Sequence, residues 1–355
     1  MKSITKLLGT TGLAFFLSLS LGCYGVKKVV ISPPPGLTEA PSGFDNETNG
    51  FVDQARHDAD RDQFEEDAGD EIGPVFNHRS CLDCHSSPVT GGYSQVFEHR
   101  IAAGARLIHD QVVPGTAQEV SPAGAHNALR ASISLMGDGF VEQVPDSLLK
   151  YIASVNGGVF VLVDNGRVGR FGHKDQHAGL FEFAGDADFN EKGVGNRVNP
   201  DPDNGIEDLE PTCLGGGEDI DCYTRFMQAL KAPPRGKITD QVNQGEEVFY
   251  KIGCAFCHTP TLYTSKNVFH PYGDYLLHNI GTGDGVAQGA APANVVRTAP
   301  LWGLRTKSRM LHDGRVFDVL AAIKAHEKEA DRSEDKFERL SKKDKENLLV
   351  FLNSL

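Results

Sequence analysis

The chain has 355 residues, 39% hydrophobic and 23% charged, a balance that fits a soluble folded protein and excludes a disordered or many-span membrane chain. Its formal charge of −13 excludes nucleic acid as a partner, since that needs a basic stripe to displace phosphate counterions. With 39 glycines and 18 prolines, long loops should outweigh regular structure over much of its length.

Met1, Lys2 and Lys6 open the chain, followed by an apolar run from Leu7 to Gly22 that is short for a membrane span. Residues 1–22 read as a secretory signal peptide. Its end, Ser20-Leu21-Gly22-Cys23, resembles the lipobox of bacterial lipoproteins, which implies acylation at Cys23, a lipid anchor and a periplasmic address. Residues 23–45, with Pro33-Pro34-Pro35, read as a lipoprotein tether.

Two stretches carry the chemistry: Cys81-Leu82-Asp83-Cys84-His85 and Cys254-Ala255-Phe256-Cys257-His258. Both are Cys-x-x-Cys-His, the attachment motif of c-type haem. Two thiols add across the vinyl groups at one porphyrin edge, and the next residue supplies an imidazole for the iron. A zinc site does not require histidine after each pair, and a thioredoxin-like dithiol needs a βαβ setting that neither stretch has. Two covalent haems are expected. Cys213 and Cys222 remain, and in an oxidising compartment a nearby pair reads as a disulfide, with a redox-active pair as the sharper alternative.

The chain reads as an internal repeat. Phe76 lies five residues before Cys81, as Phe249 does before Cys254; Pro88 and Pro260 follow the two histidines; Arg130–Leu135 parallels Arg297–Leu301. Each copy ends in an amphipathic helix, at 226–230 and 351–355. The expected fold is mainly α, two cytochrome c-like haem domains in tandem, at 46–235 and 236–355, parted at Pro233-Pro234. Helices are expected at 146–155, 220–231, 239–252, 315–328 and 341–354. The first domain carries an insertion at 156–212, in which Val159–Val163 and Arg167–Phe171 form a β-hairpin on Asp164-Asn165-Gly166.

Several motifs in order resemble the bacterial di-haem oxidoreductases, and more distantly the di-haem cytochrome c peroxidases. These are Gly253–Pro260, Arg297-Thr298-Ala299-Pro300-Leu301-Trp302-Gly303, Leu311-His312-Asp313-Gly314-Arg315, Ala322–His326 and Phe337–Ser341. In the first copy they are Phe76-Asn77, Gly137–Glu142 and Gly169-Arg170-Phe171-Gly172. The resemblance implies an exported, peroxidase-like oxidoreductase in which an electron-transfer haem (C-terminal) feeds a reactive haem (N-terminal). Its partners would be a redox protein or small electron donor, and peroxide or another small substrate. The family's Asn-Glu-Met-Gly segment stands here as Asn190-Glu191-Lys192-Gly193. An alternative of another class is a di-haem electron carrier without substrate chemistry.

Axial ligands separate the two, because an iron held on both sides moves electrons and one with an open position binds substrate. His85 and His258 are the proximal ligands. For the C-terminal haem the spacing offers Met310, whereas the resemblance favours His326; for the N-terminal haem the candidates are Met136 and His126. Glu142 is the candidate distal base for peroxide cleavage. Arg130 and Arg297 would suit haem propionates. Trp302 reads as packing on the C-terminal haem, with an inter-haem relay as the alternative. Asp201-Pro202-Asp203-Asn204-Gly205 resembles half a calcium loop, and calcium between the domains is implied by analogy.

Overall fold

The computed structural model describes residues 31–163, 166–200 and 209–355. The signal peptide, Cys23, the hairpin tip at Asp164-Asn165 and the calcium-like segment at 201–205 lie outside the described residues.

Helix α1 (Gln54–Glu65) begins where the Asp53 carboxylate accepts from Arg56 N at 2.9 Å. There follow α2 (Asp138–Glu142), α3 (Asp146–Asn156), α4 (Leu180–Ala187) and α5 (Asp219–Ala229), the last opened by a Glu218/Asp221 capping box. Helix α6 (Asp240–Ile252), capped by Thr239, buries Val242, Gly245, Val248, Phe249 and Ile252 along one stripe. Helices α7 (Val319–Lys324), α8 (Asp331–Glu338) and α9 (Lys342–Leu352) complete the chain.

One arrangement occurs twice. Helix α1 packs on α5 and α6 on α9, with Phe64 4.7 Å from Phe226 and Phe249 5.3 Å from Phe351. Behind these pairs Phe64 lies 6.2 Å from His85, and Phe249 lies 6.4 Å from His258. The partner of Phe249 is therefore Phe64 and not Phe76, which sits on the short strand Val75–Phe76. In the second copy a left-handed Gly253 (φ 104°) ends α6 directly before Cys254; in the first, residues 66–80 intervene. Gly245 lets the α9 backbone come so close that a Cβ would collide with the Asn347 carbonyl. At the corresponding place in α1, buried Asp60 instead takes both arms of Arg225, at 2.7 and 3.0 Å.

The fold departs from the expectation in three places. Short strands contribute more than a mainly α reading allows: Phe97–Ile101 pairs antiparallel with both Leu107–Ile108 and Asn127–Ala131. Residues 31–45 do not read as a free tether, because Ile31 is buried and Thr38–Glu39 adds a parallel strand to Asn267–Phe269. The break at 235/236 does not divide the core, since Leu262, Phe269, Tyr275 and Trp302 pack in one cluster with Phe140, Leu149 and Phe226. Loops after the second motif cover the first copy's helices, so the halves share apolar surface.

The hairpin pairs Leu162 with Val168 and Val163 with Arg167. The helix expected at 315–328 shortens to α7, because Asp318 caps it through Ala321 N at 2.8 Å. Helix α1 escaped a periodicity test because its buried face carries His57 and Asp60 beside Phe64. Among the described residues, no helix is long and apolar enough to cross a membrane.

Candidate metal centres

At the end of α6 the turn Cys254–Phe256 presents Cys254, Cys257 and His258 to a cavity of about 710 Å³. His326, just past α7, enters the same cavity from the opposite side. The two imidazole centroids are 6.3 Å apart. Two metal–nitrogen bonds of about 2 Å plus two ring radii of about 1.1 Å span a little over 6 Å, so one metal ion fits between these rings. Each ring is oriented by a backbone carbonyl at Nδ1: His258 by Tyr272 O at 3.2 Å, His326 by Ala322 O at 2.7 Å. That leaves Nε2 as the ligating edge. Burial, with His326 beside it, pushes His258 down to about 3, and burial lowers His326. Both are neutral, as metal ligation requires. Met310 lines the same cavity and packs on the α6/α9 core.

The first motif repeats this geometry on one side. His85 Nδ1 faces Gly92 O at 3.3 Å, and burial pushes its pKa down to about 4. Burial raises the Cys81 and Cys254 thiols to about 12, and neither they nor Cys84 and Cys257 are joined in a disulfide. Beyond Gly92 and Tyr272, the two proximal rings meet the carbonyls of Ile133 and Ala299. This sets the register of the repeat: Leu135-Met136-Gly137 matches Leu301-Trp302-Gly303, with left-handed glycines at φ 82° and 73°. Among the described residues no imidazole stands opposite His85 as His326 does opposite His258. Met136 is buried, and its backbone N–H donates to Ser134 Oγ at 3.3 Å. His126 is turned away, with Nε2 on Asp284 O at 2.6 Å.

Three of the expected site residues are held in contacts of their own. Arg130 is buried, with Nε 2.8 Å and Nη2 2.7 Å from Asp284 Oδ2 and Nη1 2.7 Å from Gln288. Trp302 packs away from the cavity, 5.7 Å from Phe269 and against Gly137, where a Cβ would meet its ring. Glu142 is outside the cavity lining and already engaged. Its Oε1 accepts from Leu180 N and its Oε2 from Gln228 Nε2, both at 2.7 Å. It closes the start of α4 onto α5, and Glu142→Ala should cost about 1–3 kcal/mol in a denaturant melt through the lost partners.

Arg297 does face the cavity. Its Nε has no hydrogen-bond partner, and its nearest carboxylate, Asp175, is 3.8 Å away. Lys307 lines the same wall above the Tyr93 ring at 4.1 Å, pushed down to about 8 by burial and by Arg297. His312 Nδ1 and Thr282 Oγ1 are also buried without partners along this lining. Two free thiols, two facing neutral imidazoles and the cations Arg297 and Lys307 suit one ligand: a metalloporphyrin with acidic side groups. The volume falls in the usual range of cofactor cavities, about 300–1,000 Å³. Sequence reading missed Lys307, Asp138 (raised to about 8 by burial) and His278, because nothing in their spacing marks them.

Residues 215–355 match a family described as "Di-haem oxidoreductase, putative peroxidase". The matched stretch contains α6, the Cys254–His258 motif and His326, which line the cavity described above. Among solved structures, hydrazine synthase of Kuenenia stuttgartiensis under xenon pressure matches with a TM-score of 0.50. The identity is 14%, over 93% of this chain and 100% of that one, and the likeness concerns the fold. A MauG-like protein associated with microbial copper homeostasis matches with a TM-score of 0.41 and 13% identity, over 92% of this chain and 94% of that one. No curated protein matches the chain.

Cys213 and Cys222 are bonded to each other across the start of α5, with Cα atoms 5.8 Å apart. Asp60 approaches both sulfurs, but a disulfide offers no thiolate to a metal and Asp60 is held by Arg225.

Proposed function

We propose that this protein is an exported di-haem c-type oxidoreductase of peroxidase type, anchored through an acylated Cys23. Haem would be attached through Cys81 and Cys84 with His85 as ligand, and through Cys254 and Cys257 with His258 and His326 as ligands. The observation that carries this reading is the inequality of the two centres. His258 faces a second imidazole at 6.3 Å, whereas the ring neighbour of His85 is Phe64 at 6.2 Å. Bound haem would supply one-electron chemistry where two side chains of the protein hold the iron and peroxide binding where only one does. The C-terminal centre is thus assigned to electron transfer and the N-terminal centre to the reactive role, with a redox protein or small reductant as donor.

The chain's own residues have defined tasks in this scheme. Tyr272 and Ala322 carbonyls fix the two C-terminal imidazoles as Nδ1–H tautomers. Arg297 and Lys307 would take the acidic groups of the porphyrin in the water-poor end of the cavity. Glu142 is the proton-handling candidate at the N-terminal centre, and it must release Leu180 N or Gln228 to serve there. That engagement favours a second reading, a pure electron carrier.

One experiment separates the two. The oxidised, matured protein should show a high-spin component from one iron and turn over hydrogen peroxide with a reduced donor, and Glu142→Gln should slow turnover by about 10²–10⁴-fold. Two low-spin irons, with no turnover in either the oxidised or the half-reduced form, would establish the carrier.

A further inference from the structure

We propose that His278, locked between Asp274 and Glu329, is a positioning residue that sets the reduction potential of the C-terminal haem. The proposal rests on the assignment of Cys254–His258 as a haem site. His278 lies on the short strand Leu277–His278 and lines the wall shared with Cys257 and His258. Its Nε2 is 2.9 Å from Asp274 Oδ2, and its Nδ1 is 2.8 Å from Glu329 Oε2. Ionised carboxylates only accept hydrogen bonds, so a ring that meets one at each nitrogen carries a proton on both. Cys257 Sγ lies 3.6 Å from that same Nδ1. The imidazolium therefore abuts the sulfur through which the porphyrin edge would be held.

The arrangement is shielded from water by the other half of the chain. Gly158, left-handed at φ +84°, passes its backbone over the ring so closely that a Cβ would stand 2.6 Å from Nε2. Next to it, Val159 and Leu277 exchange both backbone hydrogen bonds at 2.9 Å. His278 is left 3% exposed, and Asp274 is fully buried. Glu329 alone reaches solvent, at 45%. With water excluded, the field of the ring is weakly screened. No ligand pairing of the second motif explains a histidine built in this way, since neither of its nitrogens is free for a metal.

A fixed positive charge beside the porphyrin favours the reduced iron, which carries one positive charge fewer. Removing the imidazolium lowers the potential whether or not Asp274 then takes up a proton, because the charge lost nearest the sulfur is positive. Removing the Glu329 charge acts in the opposite direction, and more weakly because solvent screens it.

The test is a spectroelectrochemical titration of both haems in the full-length, matured protein and in His278→Gln and Glu329→Gln. In His278→Gln the reduction equilibrium of the C-terminal haem should shift about tenfold toward the oxidised form, 59 mV for one electron. The N-terminal haem should move less than about twofold. In Glu329→Gln the C-terminal midpoint should rise. If His278→Gln does not mature, the exposed Glu329→Gln carries the test by itself. A C-terminal midpoint unmoved in the variants that mature overturns the role of His278. A wild-type peptide 254–258 that carries no haem by mass spectrometry overturns the haem assignment itself, and this proposal with it.

Discussion

Replacing Asp284 by alanine should destabilise the protein by roughly 3–5 kcal/mol, because it strands two buried cations at once. Arg130 Nε and Nη2 lie 2.8 and 2.7 Å from one carboxylate oxygen, and Lys174 Nζ lies 2.9 Å from the other. Both cationic side chains are fully shielded from solvent, and the pairs join the first half of the chain to the loop after the second motif. A denaturant or thermal melt would measure the loss. As a control, the exposed pair Lys342–Glu346, 3.8 Å apart, should cost less than about 1 kcal/mol when broken. Burial alone would raise the Asp284 pKa, but Arg130 and Lys174 hold it below the ordinary 3.8. A depressed folded value means that the stabilisation is fully present above the unfolded pKa and fades as pH falls through the folded one. The gap between wild type and Asp284→Ala should therefore be full at neutral pH and narrow below pH 3.8. A gap that stays constant down to strong acid would show that the cluster's charge is not what stabilises the fold.

Substituting His326 should change the C-terminal centre more than any other single replacement outside the attachment motif. His326→Ala removes one of two imidazoles 6.3 Å apart and should convert a low-spin iron to a high-spin one in optical and electron paramagnetic resonance spectra. His326→Met keeps a sixth ligand but exchanges imidazole for thioether, which favours the reduced iron. The midpoint should rise by on the order of 0.1 V, within the roughly 0.8 V range that axial ligands command. An unchanged low-spin spectrum in His326→Ala would assign the ligand to Met310, which lines the same cavity. The N-terminal haem should be unaffected in both variants, since His326 contributes nothing near His85.

Much of the site was legible because its chemistry is local. Two cysteines and a histidine at fixed spacing mark a candidate haem site without any fold, and the stop of α6 at Gly253 needs only the left-handed freedom of that residue. Helices α3, α5, α6 and α9 were visible for a similar reason, since each carries an apolar stripe at helical spacing. Helix α1 was not, because its inner face is partly polar and Asp60 is neutralised by Arg225, a partner remote in sequence. The same limit explains Arg130. A sequence shows an arginine in a repeated segment, and only the folded chain shows that Asp284 already holds it.

The sequence by itself determined the two Cys-x-x-Cys-His motifs, the helices α6 and α9 around the second, and the likeness of its C-terminal part to a family, because these follow from short-range spacing and patterning. Tertiary structure decided which histidine faces His258, that residues 31–45 dock as a strand, and that Glu142 and Arg130 are committed to structural partners. It also decided that His278 sits clamped against Cys257. Each of these depends on groups far apart along the chain meeting within a few ångströms, and hydrogen bonding and burial act at that range whatever the separation in sequence.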